Sequence, residues 1–80
     1  MLTAQYRGQR FLLELNDAGE PRCLKRQARA DNGRWYWTIV WGDWHKKLPT
    51  GIHQRAINAM GFKRDHSKHR WVKTGALPNR

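Results

Sequence analysis

The sequence predicts an α+β fold: a three-stranded antiparallel meander, one helix and a C-terminal β-hairpin. Three observations carry this. Trp35 to Trp41 is a run of aromatic and β-branched residues with no Gly or Pro inside, the composition of a strand. Two turn signals, Asn16 to Pro21 and Asp31-Asn32-Gly33, cut the N-terminal half into strand-length pieces. Beyond Leu48-Pro49-Thr50 the apolar period changes from two to that of a helix, and Gly61 closes the segment.

In chain order, Tyr6 to Leu15 is the first predicted strand, with Phe11, Leu13 and Leu15 on one face and Arg10, Leu12 and Glu14 on the other. In the turn that follows, Asn, Asp and Gly supply side-chain turn bonds and positive φ, and Pro21 blocks ladder pairing. Arg22 to Ala30 is the second strand. Leu24, Ala28 and Ala30 face inward there, Arg26 is frayed or at the edge, and Cys23, Lys25, Gln27 and Arg29 face outward. That polar, basic row suits an edge strand and equally suits phosphate contacts. Asn-Gly then leads into the tryptophan strand, where alternation places Trp35, Trp37, Ile39 and Trp41 on one face. A short domain must take much of its burial from a few large side chains, so Trp35, Trp37 and Trp41 are expected in the core. Trp44, bracketed by Gly42-Asp43 and His45-Lys46-Lys47, is expected to be exposed.

Thr50 is the predicted N-cap of a helix over about Gly51 to Met60. Ile52, Ala56, Ala59 and Met60 form its apolar stripe with Ile57 at the margin, and His53 is a partly buried packing residue. The stripe is expected to pack on a sheet face beside Trp37, Ile39 and Phe11. Phe62-Lys63-Arg64 and His69 to Lys73 make the closing hairpin around Asp65 to Lys68, with Trp71 packed inward. A single domain over 1–74 and a flexible tail over 75–80 follow.

Charge is the dominant global property. Lys and Arg number 16 against 6 Asp and Glu, a formal net charge of +10 and a pI near 10.9. Arg outnumbers Lys, and guanidinium both grips phosphate and stacks on bases. This balance points first to nucleic acid, DNA or RNA, and second to an acidic protein partner. No run approaches the roughly 18 apolar residues of a membrane helix, and no basic amphipathic helix of useful length is visible, so no membrane partner is expected. The first residues lack the apolar core of a signal peptide, and Cys23 is the one cysteine, which fits a reduced cytoplasmic setting.

No chemistry-bearing motif is complete. The four histidines, His45, His53, His66 and His69, lack the spacing and carboxylates of a zinc site, so no metal and no cofactor are expected. One Cys and one Ser offer no nucleophile elbow, and no Gly-rich phosphate loop is present. A toxin-like ribonuclease using His45, His66 or His69 among Lys and Arg is the one enzymatic reading with any support; the reading adopted is non-catalytic. What remains is basic and aromatic interleaving, in Arg34-Trp35-Tyr36, in Trp44 to Lys47 and in Lys68 to Lys73. Arg34, Lys46, Lys47, Arg64, Lys68, Arg70 and Lys73 are the candidate phosphate contacts; Trp44 is the candidate stacking residue, with His45 beside it.

Ala59 to Val72, through Gly61, Phe62, Asp65 and Trp71, resembles the helix-plus-hairpin unit of HepA-related (HARP) modules. That resemblance implies a compact unit tied to DNA handling. It covers about a quarter of the chain, and the tryptophan-rich meander is not part of the pattern. The chain as a whole also resembles small phage or mobile-element accessory proteins. This implies the alternative function: an inhibitor, for anti-defence or host takeover, that docks on an acidic or nucleic-acid-binding face of a host protein.

Overall fold

A computed structural model of the chain describes residues 1–75, so of the tail predicted over 75–80 all but Gly75 lies outside the described residues. Its strands are β1 (Leu2–Tyr6), β2 (Gln9–Leu15), β3 (Pro21–Arg29), β4 (Trp35–Gly42), β5 (Phe62–Asp65) and β6 (Arg70–Lys73). A short 3₁₀ turn, Asp43–His45, and one helix, α1 (Gly51–Ala59), lie between β4 and β5. β1 to β4 form one antiparallel sheet in sequence order, and β5 and β6 form a separate hairpin. The predicted three-stranded meander is therefore corrected to a four-stranded sheet plus a two-stranded hairpin, in a molecule that is mostly sheet.

The missed strand is β1. Instead of one strand running from Tyr6 to Leu15, the chain turns at Arg7-Gly8, and Tyr6 pairs with Gln9. Both loop residues have positive φ, 52° and 75°, as a two-residue hairpin loop with the right twist requires. Arg takes this conformation far less readily than Asn, so the dipeptide carries little turn signal. The other turns rest on side chains. Asn16 Oδ1 accepts from the N–H groups of Ala18 and Glu20, each at 2.9 Å, and Asn32 Oδ1 accepts from Arg34 N–H at 3.0 Å.

One sheet face, the inner face, carries Ala4, Phe11, Leu13, Leu24 and Trp41, and α1 covers it with Ala56, Ile57 and Met60. Phe62 and Trp71 of the hairpin complete this core, with the Trp41 and Trp71 rings edge to face at 6.2 Å. Ile57, predicted at the margin of the helix stripe, is fully buried at its centre. Thr50 stands at the N-cap position with extended backbone but makes no side-chain cap bond; its carbonyl accepts from His53 and Gln54 N–H. The hairpin is tied to the sheet across 51 residues by Trp71 N–H donating to Glu20 Oε2 at 3.0 Å.

The larger correction concerns the tryptophans. In β3–β4 pairing, Leu24 faces Trp41 but Lys25 faces Ile39, so Val40 is an extra, unpaired residue in β4. Such a bulge breaks the alternation of side chains across the strand. Trp41 therefore points inward, while Ile39, Trp37 and Trp35 point to the opposite, outer face, as cross-strand neighbours of Lys25, Gln27 and Arg29. Trp35 and Trp37, expected in the core, are 59% and 37% exposed, and Trp37 and Ile39 are not partners of α1. Phe11 is, with the His53 ring standing edge-on to it at 6.4 Å.

Burial and the nearby Arg26 lower the His53 pKa below the ordinary histidine value. A group whose folded pKa is depressed binds protons more readily when unfolded. Stability is therefore expected to fall as pH drops below about 6.5 toward the folded pKa, and His53→Gln should flatten that segment of the curve. Denaturant titrations of both proteins between neutral pH and the carboxylate range check this.

Candidate nucleic-acid interface

The outer sheet face has no covering element among the described residues. Along β4 it presents Trp35, Trp37 and Ile39, spaced two residues apart. β3 contributes Lys25, Gln27 and Arg29 beside them, and β2 contributes Arg10, Leu12 and Glu14. The Arg29 guanidinium lies over the Trp35 ring, 5.2 Å from its centroid, and its Nε–H donates to the Gly33 carbonyl at 3.2 Å. That pins Arg29 and one indole face together, whereas no cation lies over the Trp37 ring among the described residues. Glu14, the one acidic residue on this face among the described residues, is spent on Lys25 at 2.7 Å. This hydrogen bond holds the Glu14 carboxyl below the usual carboxylate range and raises the Lys25 ammonium.

At the far end of β4 the same face continues onto Trp44. A Cβ built on Gly42 would lie 2.4 Å from Trp44 Cη2, so the indole rests directly on the glycine backbone. Gly42 is the cross-strand partner of Cys23, which is 2% exposed although predicted to face outward into solvent. Burial raises the Cys23 thiol pKa, with Glu14 acting in the same direction. Two further bonds fix this corner: Gly42 N–H to His45 Nδ1 at 3.3 Å, and Trp41 Nε1–H to the Lys47 carbonyl at 2.8 Å. Gly42→Ala is expected to expel the half-exposed Trp44 ring into water, seen as a red shift of tryptophan emission against the parent chain.

The predicted phosphate contacts and the predicted stacking residue lie in separate places. Lys46, Lys47 and Arg64 converge, with His69, on an open cleft of about 480 Å³ between the 3₁₀ corner and the hairpin. Glu20 and Asp43 line it too, so its charge is mixed. Trp44 and His45 stand at the same corner. Lys68 is in the β5–β6 loop, whereas Arg70 and Lys73 border a second shallow groove with Phe62 and Val72. Arg34 is at the opposite end of β4, in the turn beside Trp35. The chosen cations therefore do not form one surface.

The outer-face indoles are not among the predicted contacts, since unbroken alternation assigns Trp35 and Trp37 to the side of Trp41. The Lys25, Gln27 and Arg29 row did carry a readable signal, as an outward basic row. No group of three or more His, Cys, Asp or Glu side chains is arranged to hold a metal among the described residues. No helix among them is long and apolar enough to cross a membrane. In comparisons with known proteins, the chain matches no family model, no curated protein and no solved structure.

Proposed function

We propose that this chain binds single-stranded nucleic acid, without catalysis, on the outer face of its sheet. The observation that carries the reading is a pair of exposed indoles, Trp35 and Trp37, on an uncovered basic sheet face. Residues two apart in a strand stand about 6.7 Å apart. That spacing suits bases splayed along an extended strand, and every base offers a π-face to an indole. Duplex bases, already stacked on each other, give such a platform nothing to hold. Arg10, Arg29 and Arg34 supply the nearby positive charge, with Trp44 continuing the row.

Recognition by stacking and phosphate contact implies little direct reading of base edges, hence weak sequence preference. Three phosphate contacts predict that log affinity falls with log salt at a slope of about −2 for a single strand. Fluorescence anisotropy of labelled single-stranded DNA, RNA and duplex, with tryptophan emission followed in parallel, tests this. Salt-sensitive binding of a single strand with quenching supports the reading. Salt-insensitive binding, a preference for duplex, or no quenching would overturn it.

A further inference from the structure

β4 is an edge of the sheet, and it lacks most of the features that keep an edge strand from pairing. Protective edges carry Lys, Pro or inward charges, or are broken by a bulge. From Trp35 to Ile39, β4 has no charge, no Pro and no bulge, in a chain of which 28% of residues are charged. Its side chains are exposed on both faces, Trp35, Trp37 and Ile39 outward and Tyr36 inward. Among the described residues only β3 pairs with it, so its other edge presents a row of free N–H and C=O groups.

We propose that a second copy of this chain docks on this edge, β4 against β4, antiparallel about a twofold axis. The register follows from the bulge. Regular pairing is confined to Trp35–Ile39 by the turn at Arg34 on one side and the extra residue Val40 on the other. The twofold that uses all of that segment passes through Trp37. Trp37 then faces the partner's Trp37, Trp35 faces the partner's Ile39, and Tyr36 faces the partner's Thr38. Two four-stranded sheets become one of eight, with the outward aromatic residues of both copies side by side on a single face. An isologous contact of this kind closes on itself. The remaining free edge, β1, is shorter and carries polar Thr3 and Gln5 outward; pairing it with β4 would be head-to-tail and open-ended.

Main-chain pairing over five residues per copy makes a small interface, below the roughly 1,200 Å² of stable complexes, so the dimer depends on concentration. Each copy carries +10, and that repulsion is screened by salt. Dimerisation therefore strengthens as salt rises, whereas binding of nucleic acid weakens. The inference stands apart from the nucleic-acid reading, and the opposite salt responses keep their failures distinct.

Sedimentation equilibrium of the full chain, free of nucleic acid, at low and high salt tests it. The expected result is a monomer–dimer equilibrium richer in dimer at high salt, lost in Ile39→Lys while the far-ultraviolet circular dichroism is kept. Independently of that variant's folding, Trp37→Cys should form a disulfide-linked dimer on mild oxidation. The two Cα atoms directly opposite in an antiparallel pair, about 4.5–5.5 Å apart, fall within disulfide reach. Gln27→Cys, one strand in from the edge, should not cross-link, and native Cys23 is buried with a raised thiol pKa. Monomer at every concentration and salt, assembly beyond the dimer, or equal cross-linking at position 27 would overturn the proposal.

Discussion

Replacing both Trp35 and Trp37 by alanine is expected to weaken binding of a single-stranded oligonucleotide by about 30-fold or more. Base–aromatic stacking contributes roughly 1–3 kcal/mol per base, and 1.4 kcal/mol is a factor of ten. Two stacks at the low end of that range already give the stated loss. The fold should persist, because both indoles stand on the outer face and the core lies on the other side of the sheet. Trp37 is expected to account for the larger share: Arg29 already covers one face of Trp35. Anisotropy at fixed salt reads the loss, with unchanged thermal unfolding as the control. Lys46→Glu with Lys47→Glu, measured in parallel, separates the outer face from the mixed-charge cleft that those lysines line. A greater loss from the lysine pair than from the indole pair would move the site to that cleft.

Trp41→Ala is expected to destabilise the chain by about 3–5 kcal/mol, the cost of truncating a buried aromatic residue. Small domains are stable by only about 5–15 kcal/mol, so much of the folded population is at risk at physiological temperature. Three kinds of contact are lost together. The ring is 4% exposed and packs against the core, it meets Trp71 edge to face, and its Nε1–H holds the Lys47 carbonyl. Without it the 3₁₀ corner and the hairpin lose their common support. Trp41→Phe keeps most of the packing and gives up the hydrogen bond, at an additional cost of about 1 kcal/mol. Urea titrations followed by circular dichroism rank the two variants. A Trp41→Ala chain as stable as the parent would contradict the placement of this residue.

The core was legible where one face of a regular element carries it. Phe11, Leu13 and Leu24 follow from alternation, Ala56 and Met60 from the helical stripe, and Trp71 from its place in the hairpin. Two things were not legible. Arg7-Gly8 takes a turn geometry that more often announces itself as Asn-Gly, so the predicted strand runs through it from Tyr6 and Leu2 to Gln5 are left unassigned. Val40 is an ordinary β-branched residue, and nothing in it marks an unpaired position; the shift appears only once the partner strand fixes the register. That one residue decided the candidate site, because it moved two indoles from the expected core to open surface. Charge was read well as a total and poorly as a map: the net +10 is plain in the sequence, yet Arg34 and Lys47 stand at opposite ends of one strand.

The extra residue at position 40 also separates what selection can act on. C-terminal to it, β4 supplies Trp41 and Gly42, each constrained by close packing; N-terminal to it, Trp35, Trp37 and Ile39 have no core neighbours to satisfy. Random substitution at 35, 37 and 39 can therefore diversify what the sheet recognises with little cost to folding, as the loops of a binding scaffold are diversified on a rigid frame. Deleting Val40 would keep every side chain on its present face, because Ile39 and Trp41 would then be neighbours opposite Lys25 and Leu24. What would go is the local kink of the strand, so the regular segment would run on from Trp35 through Gly42.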